Sequence, residues 1–183
     1  GHLNPAVTLM LAVNGSLEWS LVPYYALGQI LGAMVGAFLA WAAFKQLFDA
    51  NNVDDAGNTT GANATTGGIF FTNPAHPNNG WNAVTEFIAT CVLLMFIAFG
   101  PTGGELGPLS YFGVAFVVVA VGLSLGTPTG YAINPVRDLG PRLMYAFVLP
   151  IKDKGTANWS YAWVPVVAPL LAAVAVGLLS MAL

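Results

Sequence analysis

Two asparagine-proline pairs are the residues in this chain whose types and spacing could do chemistry. The first lies in His2-Leu3-Asn4-Pro5-Ala6-Val7, the second in Ile133-Asn134-Pro135-Val136-Arg137-Asp138. Asn is a favoured N-cap and Pro a favoured first helical residue, so each pair predicts the start of a helix. A helix N-terminus carries about half a positive charge and several unpaired N–H groups. If each Asn oxygen caps its own helix, the NH₂ group stays free to donate to a passing oxygen. Arg137, three residues past Asn134, adds a fixed cation rich in N–H donors. Such a constellation recognises neutral, oxygen-bearing molecules and repels cations; it makes and breaks no bonds.

The surroundings of these pairs are those of a membrane. Hydrophobic residues make up 56% of the 183 residues and charged residues only 7%, against about 25% in soluble domains. The mean hydropathy is +0.70. So few charges leave no nucleic-acid-binding surface. A single cysteine, Cys91 in an apolar run, leaves no disulfide framework. Two histidines and one cysteine supply no metal cluster, nucleophile–base pair or phosphate loop. Neither an enzyme nor a cofactor is expected.

A bilayer-spanning helix needs about 20 mostly apolar residues. Four stretches qualify or nearly do: Leu21–Phe44, Ala83–Phe99, Leu109–Leu125 and Trp163–Leu183. Two more, Pro5–Val13 and Pro135–Leu149, are short or interrupted by charge, and each begins at an Asn-Pro pair. Three spans separate Asn4 from Asn134, an odd number, so the two short helices enter from opposite faces and their N-termini can meet at mid-depth. This is the broken-helix, inverted-repeat arrangement of transport proteins. The expected organisation is one transmembrane channel domain over residues 1–183. Residues 1–48 end a first repeat, 49–81 form a long solvent-exposed loop, and 82–183 form a second repeat. Inverted symmetry asks for two further spans before Asn4, so a missing N-terminal portion is expected. Gly28, Gly32 and Gly36 share one helix face and predict close helix contact. Gln29, in the same helix, is expected to face protein.

The backbone leading into each Asn must be irregular, which a membrane tolerates where it lines a cavity. His2 and Leu3 before Asn4, and Tyr131, Ala132 and Ile133 before Asn134, would then present a ladder of carbonyl acceptors. With Asn4 and Asn134 as central donors, such a lumen suits a molecule with hydroxyls on one edge and carbons on the other. A buried Arg137 is costly and marks function. Arg142 is expected to pair with a loop carbonyl or a carboxylate, Asp138 being four residues away. Trp19, Tyr24, Tyr25, Trp159 and Trp163 read as interface anchors.

These motifs resemble the major intrinsic protein family, the aquaporins and glycerol facilitators. The run Asn134-Pro135-Val136-Arg137-Asp138-Leu139-Gly140-Pro141-Arg142 is similar to the glycerol-facilitator form, in which Asp follows the filter Arg. The resemblance implies an all-α, aquaporin-like right-handed helical bundle with two half-helices meeting at the midplane. It places Arg137, Tyr131 and Gly122 in the selectivity filter, Gly122 where water channels carry His. It makes Glu86 a brace for loop backbone and has His2 supply a backbone carbonyl acceptor to the pore wall. Val136 departs from the commoner Ala, and Tyr131 from the usual Phe. The implied function is passive diffusion of glycerol and other small neutral solutes, with some water, excluding protons and ions. The partners implied are those solutes, the lipid bilayer and a homotetramer, multi-pass in a plasma membrane of bacterial inner-membrane type. A water- or hydrogen-peroxide-dominant aquaporin is the alternative. A coupled secondary transporter would need intramembrane carboxylates, of which Glu86 is the one candidate.

Overall fold

The computed structural model describes residues 1–100 and 109–183, and among these the regular elements are helical. In chain order they are α1 (Pro5–Val13), α2 (Val22–Ala43), α3 (Lys45–Asn51), α4 (Gly67–Phe70), α5 (Asn79–Phe99), α6 (Ser110–Thr129), α7 (Pro135–Phe147) and α8 (Val164–Ala182). Four stretches are long and apolar enough to cross a membrane: Trp19–Ala43, Asn79–Phe99, Tyr111–Thr129 and Val164–Ala182. Alpha-helix is the economical solution here, because a spanning segment must satisfy every backbone group internally.

Two spans exceed the lengths expected from apolar runs. α5 starts at Asn79 rather than Ala83, because the Asn78 side chain accepts from Trp81 N and caps a polar first turn. α6 continues past Leu125 through Pro128 and ends on Gly130, whose φ of +77° is the left-handed cap that glycine supplies cheaply. Pro128 removes one backbone donor near the helix end without breaking the helix.

The core forms in three places. Ala6, Val7 and Met10 of α1 pack with Leu94 of α5 and with Ala172, Ala173 and Val176 of α8. Ala89 and Leu93 of α5 pack with Val121 of α6 and with Ile133. Ala37 of α2, Phe48, Phe70, Phe71, Met144, Tyr145 and Leu149 form the third cluster, around α7. The closest helix approaches use glycines other than the expected stripe. A Cβ on Gly140 of α7 would lie 2.8 Å from Ala33 Cβ of α2, and one on Gly177 of α8 would lie 2.8 Å from Val13 of α1. Gly28, Gly32 and Gly36 meet no such neighbour among the described residues and stay exposed.

The segment expected to be a solvent-exposed loop is partly buried. Asn52, Asn63, Phe70, Phe71 and Thr72 are all buried. Asn63 Nδ2 donates to Phe48 O and Lys152 O, both at 3.0 Å, and Asn52 Nδ2 donates to Asp153 Oδ2 at 2.6 Å. An Asn amide carries two donors and an acceptor on a short arm, so a polar stretch can be buried when its side chains satisfy a helix carbonyl, a loop carbonyl and a carboxylate elsewhere. Lys154 closes the same region by donating to Tyr145 O, Ala146 O and Leu149 O, the carbonyls left over at the end of α7.

Candidate functional site

The two Asn-Pro pairs fold alike. Asn4 has φ −155° and ψ 120°, and Asn134 has φ −157° and ψ 111°. Each caps its own helix: Asn4 Oδ1 accepts from Ala6 N at 2.9 Å, and Asn134 Oδ1 accepts from Val136 N at 3.2 Å and Arg137 N at 3.3 Å. The residues just before them, Leu3 and Ile133, both have positive φ, +56° and +43°. That conformation disfavours any side chain, a β-branched one most. Two stretches of unrelated neighbouring sequence thus share one uncommon backbone path.

The two amides are not free as expected. Asn4 Nδ2 donates to Ile133 O at 2.8 Å, and Asn134 Nδ2 donates to Leu3 O at 2.9 Å. Each asparagine therefore ties its helix start to the loop before the other helix. One hydrogen of each NH₂ group is used this way, and one remains. The carbonyls of Leu3 and Ile133 act first as acceptors for these cross-links, each keeping a second lone pair. Asn4 is buried and Asn134 half-buried.

Glu86 of α5 holds the second loop from behind. Its Oε1 accepts from Ala132 N at 2.9 Å and its Oε2 from Ile133 N at 2.8 Å. Glu86, Ala132 and Ile133 are all buried. A carboxylate taking two backbone N–H groups offsets the strain of the loop, whose residue Tyr131 also has positive φ (+41°).

An open groove of about 580 Å³ runs along α2 and past these loops. His2, Leu3, Gln29, Asn134, Val136 and Arg137 line it, with Tyr24, Tyr25 and the glycines Gly28 and Gly32. Gln29 Nε2 and His2 Nδ1 both reach Thr8 Oγ1 at 3.0 Å, so Gln29 does face protein. Tyr25 is not a free interface anchor: its ring stacks on the His2 ring at 4.3 Å. The chain packs Gly122 and Tyr131 together: a Cβ on Gly122 would lie 2.9 Å from Tyr131 Cζ, and one on Gly126 3.0 Å from Tyr131 Cδ1. The ring occupies the space that two missing side chains leave on α6, and Tyr131 remains 37% exposed.

Arg137 is exposed, and its Nη1 donates to Phe70 O at 3.2 Å. Phe70, Thr72, Thr8 and Gly126 escaped the reading of the sequence. Phe70 acts through a carbonyl, which every residue has, and Thr8 looks like any small residue inside an apolar helix. The signal at Gly126 was its spacing: Gly122 and Gly126 lie four apart on one face of α6.

Compared with known proteins, the sequence pattern described as "Major intrinsic protein" matches residues 1–180. The chain belongs to the major intrinsic protein family. Among its relatives in that family, the glycerol uptake facilitator protein of Streptococcus pneumoniae (strain ATCC BAA-255 / R6) is 44% identical over 173 residues, covering 94% of this chain and 69% of that protein. The glycerol uptake facilitator protein of Bacillus subtilis (strain 168) is 44% identical over 171 residues, covering 93% of this chain and 58% of that one. The X-ray structure of the aquaglyceroporin from Plasmodium falciparum superimposes with a TM-score of 0.78 at 26% identity, covering 97% of this chain and 70% of that one. Family membership makes this chain part of a membrane channel, not an enzyme, with the aquaporin-like helical fold expected from its motifs.

Proposed function

We propose that the protein conducts glycerol and other small neutral solutes passively, with some water, and excludes protons and ions. The observation that carries this reading is the contact of the Tyr131 ring with the bare backbone of Gly122. A side chain at position 122 would have to displace that ring, so in this reading the filter there presents an aromatic ring, with its hydroxyl, in place of a residue-122 side chain. An aromatic face suits the carbon edge of a polyol, and Arg137 suits its hydroxyls. The names of the relatives from Streptococcus pneumoniae and Bacillus subtilis point the same way. The two helix N-termini joined through Asn4 and Asn134 form a positive region that disfavours cations while offering amide donors to neutral molecules.

In this reading Asn4, Asn134, Arg137, Tyr131, Gly122 and the carbonyls of His2, Leu3, Ala132 and Ile133 form the solute path. Glu86, Asp138 and Gln29 support it. Residues 1–183 form one channel domain, in the cell membrane, assembled as a homotetramer. The test is the full-length protein in liposomes, followed by stopped-flow light scattering in glycerol, urea and sorbitol gradients. Rapid re-swelling in glycerol, independent of imposed proton or sodium gradients, is the expected result. Water shrinkage without glycerol re-swelling would overturn it in favour of a water channel.

A further inference from the structure

We propose that Asp138 and Arg142 are positioning residues for Arg137, acting through the backbone of residues 70–72; the inference rests on the reading of Arg137 as a filter residue. The guanidinium of Arg137 sits at the end of a flexible arm. Among the described residues its hydrogen bond to protein is the one from Nη1 to Phe70 O, 3.2 Å. Its position is therefore as well defined as that carbonyl. Phe70 ends the four-residue α4, and at Phe71 the chain turns extended (φ −133°, ψ 163°). Nothing in so short a helix fixes its own last carbonyl.

The Phe70 ring packs on Phe48 and Tyr145, and the polar anchoring of the backbone beyond it lies two residues on. Thr72 N and Thr72 Oγ1 both donate to Asp138 Oδ2, at 2.8 and 2.7 Å, and Thr72 O accepts from Arg142 Nη2 at 2.9 Å. All three polar groups of Thr72 are thus held by α7. Asp138 and Arg142 hold each other through Nε to Oδ1 at 2.7 Å and Nη2 to Oδ2 at 3.0 Å. Arg142 Nη1 donates to Ala157 O and Asn158 O, and the guanidinium lies 4.2 Å from the Phe71 ring centroid. Asp138 and Arg142 are both 0% exposed. From the other side, Thr72 Cβ lies 3.2 Å from where a Cβ on Gly130 would stand.

Arg137 and Asp138 are neighbours on α7, so their side chains leave the helix about 100° apart. One reaches residue 70 from the groove, and the other reaches residue 72 from the protein interior. The two contacts close a short loop through Phe71, so the position of Thr72 bears on the Phe70 carbonyl two residues before it. Stability alone is a weak reason for this pair, since well-packed apolar residues commonly replace a buried ion pair without loss. Positioning explains why Asp138 Oδ2 and Arg142 Nη2 both reach Thr72, and Arg142 Nη1 reaches Ala157 O and Asn158 O, while Asp138 Oδ1 and Arg142 Nε hold each other.

The test measures solute selectivity per channel, because a merely structural role would lower the amount of folded protein and leave the selectivity alone. Full-length protein carrying Asp138→Asn or Thr72→Val is reconstituted, and the ratio of erythritol to glycerol permeability is measured, with and without Arg137→Val. Thr72→Val removes one bond to Asp138 and spares the ion pair, so it stays informative where Asp138→Asn fails to fold. The expected result is a change in the ratio of about threefold or more for Asp138→Asn, a smaller change in the same direction for Thr72→Val, and no further change for either in the Arg137→Val background. An unchanged ratio in folded Thr72→Val protein, or an equal shift with and without Arg137, would overturn the proposal. Absence of glycerol flux in the unmutated protein would instead overturn the proposed function, and the same ratio taken between the neutral solutes it does pass would still decide the positioning role.

Discussion

Asn4 and Asn134 hold each other's approach loops: Asn4 Nδ2 donates to Ile133 O at 2.8 Å, and Asn134 Nδ2 donates to Leu3 O at 2.9 Å. Each side chain therefore caps one helix and anchors the start of the other. Replacing Asn4 by Ala removes both jobs at once. The cap is worth about 1 kcal/mol, and losing the buried cross-link leaves Ile133 O short of a partner at a cost of about 1–3 kcal/mol. Asn4→Asp keeps the cap acceptor but replaces the donor with an oxygen facing Ile133 O in a buried site, so it should cost at least the second amount. Thermal unfolding of the two variants in detergent measures the difference.

The contact between Tyr131 and Gly122 predicts a selectivity change. Gly122→His forces the Tyr131 ring out of its seat and adds a polar ring. Glycerol permeability should fall by more than water permeability, by about tenfold or more against a small change in water, since a difference of 1.4 kcal/mol between two barriers is tenfold. Stopped-flow rates for both solutes from the same vesicles supply the comparison. Equal losses would remove Gly122 from the filter.

Glu86 accepts from two consecutive backbone donors, Ala132 N and Ile133 N. Glu86→Gln keeps one oxygen and turns an NH₂ group towards the other donor. Hydrogen bonds to charged groups contribute about 1.5–3 kcal/mol each, so the amides of Ala132 and Ile133 should lose hydrogen-exchange protection by tenfold or more. Unchanged protection at these two amides would show that the loop is held by other contacts.

Lys154 donates to three carbonyls at the end of α7. A cation there interacts favourably with the helix dipole by up to about 2 kcal/mol when partly buried. Lys154→Met should therefore destabilise the protein by roughly 1–2 kcal/mol without altering the glycerol-to-water permeability ratio. Unfolding in detergent and vesicle permeability together check both halves.

Composition and two short motifs were enough to read the membrane class, the four spans, the two half-helices and the family, because these depend on local quantities: hydropathy, run length and the cap chemistry of Asn followed by Pro. Arg137 and Glu86 stood out as charges in apolar stretches, while the bracing role of Glu86 was implied only by the family resemblance and Arg137, expected to be buried, is exposed. The ion pair of Asp138 with Arg142 was legible as a four-residue helical spacing. Tertiary structure alone decided the rest. The asparagine amides are tied to Ile133 and Leu3 across about 130 residues of sequence, and nothing local marks the acceptor. Burial of Asn52, Asn63 and Thr72 in a stretch that reads as solvated follows from partners elsewhere in the fold: the Asp153 carboxylate, the carbonyls of Phe48 and Lys152, and the side chains of Asp138 and Arg142. Close helix contact at Gly140 and Gly177, instead of at Gly28, Gly32 and Gly36, depends on which helix faces meet. Arg137 was visible in the chain, but the carbonyl of Phe70 that steadies it was not: a backbone oxygen acquires a role only from where the fold puts it.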